Sequence, residues 1–165
     1  MVSSAAIAQS IGEKSGVNSA LGISPTTADF VKEAANSDMF EITAAKIAED
    51  KGNVEEKKFA QQMITDHTKT SSDLQGLVTA GDVKAELPTT MDSSYQKKLG
   101  KLRDAKPSGF SGQYDPMQVS AHKDAVSLFE RYAKSGDNPR LKDWASKMLP
   151  TLQHHLQMAE ALQKR

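Results

Sequence analysis

Three of the four histidines in this 165-residue chain fall where an α-helical protein keeps its core. His67 shares a helical stripe with Phe59, Met63, Thr70 and Leu74. His122 shares one with Val119, Val126 and Phe129, and His155 one with Leu152, Ala159 and Leu162. Neutral imidazoles joined by a carboxylate make a site for Zn²⁺, Fe²⁺, Cu²⁺ or Ni²⁺, and a free coordination position would open it to catalysis. The matching carboxylate is Glu41, on the inward side of an earlier helical run with Phe30, Ala34, Ser37, Ala44, Ala45 and Ala48. Asp66 adjoins His67 but points about 100° away on a helix, so it is placed to hold a ligand rather than to be one. Glu33 and His154 are placed in the same supporting role, with His154 the exposed neighbour of His155. A shift of register would exchange those two histidines.

The competing reading is bland. Three core histidines hydrogen-bonded to one another or to Glu41 would also be satisfied. Met63 lies one turn before His67 and Met158 one turn after His154, a thioether–imidazole combination that suits Cu(I), although methionine at helical spacing more often fills a core. A di-iron carboxylate bundle needs Glu-x-x-His, and here Ile64, Val119, Thr151 and Leu152 stand three residues before the histidines, so the sequence does not support ferroxidase or oxygenase activity of that type, and a mononuclear site remains open. Zinc comes first among the metals, then iron or copper. No phosphate loop, dinucleotide fingerprint or nucleophile motif is present, so no organic cofactor is expected and no reaction class is supported.

The elements that must position these residues are all helical. Thr26 or Thr27 caps a helix running to about Asp50, which Lys51-Gly52 ends. Asn53 with Glu56 has the arrangement of a capping box and opens a second helix to about Ala80. A shorter helix spans about Asp92 to Ala105 and is broken at Lys106-Pro107-Ser108-Gly109. A long one follows from about Ser111 to Lys134, with Pro116 in its early turns. Asp137 or Asn138 caps the last, with Pro139 at its first position, continuing to about Gln163 with a kink expected at Pro150. The expectation is an all-α, ferritin-like four-helix bundle whose long crossover carries an extra short helix. If the links near residues 51–52 and 136–137 share one end, depth is the residue count times about 1.5 Å. His67, His122 and His155 then lie about 15, 14 and 18 residues from that end, level within a turn, with Glu41 about 10 and Glu33 as deep as His155.

Composition narrows the rest. Lys+Arg 21 against Asp+Glu 21 leaves zero net charge, and no basic stripe interleaved with aromatics suggests nucleic acid. Absence of cysteine removes disulfides, thiolate ligands and thiol chemistry. No apolar run approaches the roughly 20 residues of a membrane span. Ser3 to Ser10, with Ala6-Ile7-Ala8 as a cleavage pattern, reads as the end of an export signal, so residues 1–24 form a flexible arm and 25–165 the bundle domain. Trp144 reads as domain-edge packing.

Phe40-Glu41-Ile42, the run Phe59 to Thr68 with its Asp66-His67 pair, His122 to Phe129, and Leu149-Pro150-Thr151-Leu152-Gln153-His154-His155-Leu156 together resemble a bacterial ferritin-like domain family of unknown function, often labelled predicted outer membrane protein. The resemblance covers about Thr27 to Leu162. It implies a ferritin-like bundle exported past the inner membrane to the periplasm, with Glu41, Asp66, His67, His122 and His155 as recurring polar positions. It implies no reaction. The leading expectation is a periplasmic protein holding one transition-metal ion. The alternative is a non-enzymatic stress-response or interaction module with structural histidines. A hydrolase or oxidoreductase using Glu41 or Asp66 as base ranks third. Assembly of identical copies is left open.

Overall fold

The computed structural model describes residues 17–165. The small-residue segment at 3–10, read above as the end of an export signal, lies outside them. The helices are α1 Val17–Ala20, α2 Thr27–Lys51, α3 Val54–Thr79, α4 Ser93–Asp104, α5 Ser111–Ser135 and α6 Pro139–Gln163, with a 3₁₀ turn at Pro107–Gly109. No strand occurs among the described residues, so the all-α expectation is borne out.

Three of the four long helices start where the sequence places a cap. The Thr26 hydroxyl accepts from the Asp29 N–H, and Asn138 accepts from the Leu141 N–H with Pro139 at the first helical position. The capping box forms in full: Asn53 accepts from the Glu55 and Glu56 N–H groups, and Glu56 accepts from the Asn53 N–H at 2.7 Å. Gly52 in the preceding link is required by space, since a Cβ there would meet the Glu56 side chain at 3.0 Å and the Ala48 carbonyl at 2.6 Å. Pro116 and Pro150 both lie inside helices that run through them. Both are exposed, so the carbonyls they leave without an N–H partner, at Gly112 and Ser146, face water.

Packing pairs α2 with α3 and α5 with α6, and α3 with α6 and α2 with α5 join the two pairs. The two short links lie at opposite ends, not at one end. Thr27 Oγ1, at the start of α2, bonds Tyr132 Oη at 2.6 Å and donates to Asp137, at the end of α5. Asn138 donates to the Asp82 carbonyl, just past α3. At the other end, Lys51 donates to the carbonyls of Arg103 and Ala105, and Arg165 pairs with Glu55. The connection from residue 80 to 110 therefore travels the full helix length, with α4 lying along α2. A connection of that reach must put the two links at opposite ends. The histidines remain level because His67 and His122 sit near the middles of their helices, where depth counts alike from either end. The correction does move Glu33, which lies eight residues from Glu41 along α2, roughly 12 Å away at about 1.5 Å per residue.

Two apolar clusters fill the interior. Phe40, Ala44, Phe59, Met63, Leu102, Phe110 and Leu162 belong to one, and Phe30, Leu74, Phe129, Tyr132, Leu141, Trp144 and Leu152 to the other. Phe30 stacks on Tyr132 with ring centroids 4.1 Å apart and meets Phe129 edge-on at 4.9 Å. Trp144 is 8 % exposed within this second cluster rather than at a domain edge. Residues 17–24 differ from the expected arm: Ser19 and Ser127 hydroxyls bond at 2.9 Å, and Arg131 donates to the Ile23 carbonyl at 2.7 Å, laying α1 and its turn on α5.

Asn53 is exposed, so its replacement tests the cap without opening a cavity. Asn53→Ala is expected to cost about 1 kcal/mol and lower the thermal midpoint by roughly 2–4 °C, with helical circular dichroism retained. An unchanged midpoint would mean that the box adds nothing to stability.

Candidate metal centre

Between the two apolar clusters lies a polar layer. Its members are His67 on α3, His122 on α5 and His155 on α6, exposed by 2 %, 1 % and 1 %, with Asp38 and Glu41 from α2 and Gln118 from α5. The imidazoles gather around one point: ring centroids lie 5.8 Å apart for His67 and His122, 5.4 Å for His67 and His155, and 5.5 Å for His122 and His155. One ring nitrogen from each can be chosen so that all lie within 4.8 Å of one another.

Each ring is held by one nitrogen and free at the other. His67 Nδ1 lies 2.8 Å from Asp38 Oδ1, which also accepts from the Thr70 hydroxyl at 2.9 Å. His122 Nδ1 donates to the Gln118 carbonyl at 2.9 Å. His155 Nε2 lies 2.8 Å from Asp66 Oδ2, itself held by the Gln62 amide at 2.7 Å. An N–H directed at each oxygen leaves a lone pair on the opposite ring nitrogen. His67 Nε2, His122 Nε2 and His155 Nδ1 are all buried without a hydrogen-bond partner. Bare lone pairs cost about 1–3 kcal/mol each when buried and unmatched. Three of them together fit the donor set of a transition metal, whose ligating histidines are oriented in this way by carboxylates and carbonyls.

The expected carboxylate, Glu41, is not among the residues whose ligand atoms meet within 4.8 Å of one another. Glu41 is 1 % exposed and neither of its oxygens has a hydrogen-bond partner. Burial pushes its carboxyl up to about 7, against smaller downward pulls from the His67 charge and the Gln118 amide. Gln118 influences Glu41 without a hydrogen bond of ordinary geometry, as its own amide nitrogen and oxygen are also unmatched. Burial depresses His122 to about 3, helped by His67. Burial likewise depresses His155 to about 4, with Asp66 pulling partly back. His67 is the exception: burial lowers it, but Asp38, Glu41 and Asp66 outweigh burial and leave it raised.

Of the residues expected around the ligands, Asp66 meets His155 rather than its neighbour His67. His154 is exposed, and Glu33 lies away from the layer, lining an outer groove with Lys32, Asp92 and Asp124. Asp38, Thr70 and the Gln118 carbonyl are contributors that the sequence reading did not single out. Asp38 had a signal: it stands three residues before Glu41 and four after Ala34, on the same inward stripe.

The depressed imidazoles fix a sign. In acid the unfolded chain takes up protons that the folded His122 and His155 refuse. The stability these rings contribute is complete above the free-imidazole range near 6.5 and is lost as pH falls through about 4 and then about 3. Glu41 acts oppositely, its contribution complete below 4.5 and lost as pH rises through about 7. In metal-free protein the His122 Hε1 resonance should hold the neutral-ring shift from pH 8 to 5. An inflection near 6.5 would contradict this environment.

A family model described as "Domain of unknown function (DUF4142)" matches residues 12–162. No curated protein and no solved structure matches the chain.

Proposed function

We propose that this chain, which belongs to the DUF4142 family, binds one transition-metal ion in a ferritin-like four-helix bundle, through His67 Nε2, His122 Nε2, His155 Nδ1 and the Glu41 carboxylate. The observation that carries the reading is the convergence of three buried imidazoles whose ligand atoms lie within 4.8 Å of one another, each ring keeping one partnerless nitrogen, while the buried and partnerless Glu41 carboxylate stands outside that group. Metal–imidazole bonds of about 2.0–2.1 Å require the rings to draw inward by less than about 1 Å, within side-chain adjustment. The donor set of imidazole nitrogen and carboxylate oxygen suits zinc first, then iron or copper. Met63, buried in the apolar cluster next to the layer, is the nearest support for copper. When bound, the ion supplies a positive charge that Glu41 can neutralise and, with a free position, a Lewis acid. Asp38, Asp66 and the Gln118 carbonyl hold the three rings in the tautomers that face inward.

The ferritin-like reading is supported by the full-length crossover and by links at opposite ends. Placement in the periplasm, for storage or scavenging of metal, rests on the small-residue segment at 3–10 and on the family resemblance. A structural role for the histidines, in an interaction or stress-response module, is the competing reading.

Protein purified without a histidine tag and offered Zn²⁺, Fe²⁺ and Cu²⁺ in turn should retain close to one equivalent of at least one of them by elemental mass spectrometry. Saturation at about 100 times the Kd should add roughly 2.7 kcal/mol of stability. His67→Ala and His122→Ala should each abolish retention. A folded protein that refuses all three metals and whose melting ignores chelators would leave the structural reading in place.

A further inference from the structure

Of the three groups that hold the imidazoles, one reaches water. His67 is held by Asp38, whose side chain is 8 % exposed, and His122 by the buried Gln118 carbonyl on its own helix. His155 is held differently: its Nε2 donates to Asp66 Oδ2 at 2.8 Å, and the Asp66 side chain is 24 % exposed. The same oxygen accepts at 2.7 Å from the amide of Gln62, an exposed residue one turn earlier on α3. The His155 ring is itself buried. It stands as a partition one ring thick, with Nε2 against a carboxylate that water touches and Nδ1 buried without a hydrogen-bond partner. Asp66 belongs to α3 in one helix pair and His155 to α6 in the other, so their bond closes a seam between the pairs rather than a contact within one.

From this arrangement we infer that Asp66 is the residue through which cations enter and leave the histidine centre, an inference that rests on the metal-binding reading above. A carboxylate at the mouth of a low-dielectric passage draws a cation in, and its oxygens replace part of the hydration shell. An ion seated on Asp66 competes with the His155 N–H for Oδ2, so its arrival loosens the partition. The remaining movement is rotation of one side chain, which leaves the backbone hydrogen bonds of both helices intact. The outer groove over α2, α4 and α5 is the rival route. It carries Lys32 and Arg131 among the carboxylates Glu33, Asp92 and Asp124, and none of its lining residues belongs to the histidine layer.

Co²⁺ stands in for zinc and absorbs visibly when held by imidazoles, so its uptake by the whole chain can be timed by stopped flow. Asp66→Asn removes the charge but keeps an oxygen that accepts from His155 Nε2. It should slow uptake at least about tenfold, slow release to a chelator as well, and weaken affinity by a smaller factor than it slows uptake. Glu33→Gln and Asp124→Asn should leave the uptake rate unchanged. In metal-free protein, saturation transfer from water should show the His155 Nε2–H exchanging faster than the Nδ1–H of His67 or His122. Full occupancy reached at an unchanged rate in Asp66→Asn, with or without weaker binding, would make Asp66 only a support for the ring and overturn the route while leaving the centre. Uptake slowed by the groove variants instead, or equal exchange at all three rings, would do the same. A wild-type chain that takes up no Co²⁺, Zn²⁺, Fe²⁺ or Cu²⁺ would remove the centre and the route together.

Discussion

A sheet of buried polar groups crosses the middle of this protein, and the rest of the structure is arranged around the need to satisfy it. Above and below it the core is ordinary, built of Phe, Leu and Ala from facing helices. Within it, imidazoles, carboxyls and an amide are held away from water, where an unmatched group costs far more than a lost methyl contact. The protein meets part of that cost itself, by giving each histidine one partner. It leaves the opposite nitrogens and Glu41 bare. One side of every ring secured and the other open is the division that the proposed metal site calls for, and a fully hydrogen-bonded core would not show it.

The helices supply the required geometry by small means. Alanines line the inward face of α2 at positions 34, 35, 44, 45 and 48, so α3 can approach closely while Asp38 and Glu41 keep room to reach inward. Caps at Thr26, Asn53 and Asn138 fix where three of the long helices begin, and hence the depth at which each inward residue arrives. A slip of one residue in any helix would swing its polar member by about 100°, out of the layer.

Much of this was legible in the sequence because it depends on local rules. Capping residues, Gly-Pro punctuation and the 3.6-residue period of Phe59, Met63 and His67 set helix boundaries within a residue or two of those observed. Inward orientation of the three histidines followed from the same period. What was not legible was whatever depends on which end of the molecule a loop reaches. The placement of both links at one end was mistaken, because nothing within residues 80–110 announces how far that segment travels; its course is set by contacts such as Asn138 with Asp82 and Lys51 with Arg103, far apart in sequence. Glu33 was drawn toward the histidines by that error. Asp38 was passed over for a different reason: an aspartate inside an alanine-rich stripe reads as solvent-facing until its partner on another helix is known.

The histidines are divided unevenly between the two helix pairs. His67 comes from the first pair with Asp38 and Glu41, while His122 and His155 come from the second. Neither pair alone brings the three imidazoles together, so the cluster forms only when the two halves dock. An ion held there would act as a cross-link between segments about 55 residues apart, from 67 to 122, a loop whose closure is entropically expensive in the unfolded chain. Metal availability would then govern more than occupancy. It would set how often the halves of the protein part, making the ion a measure of whether folding has been completed.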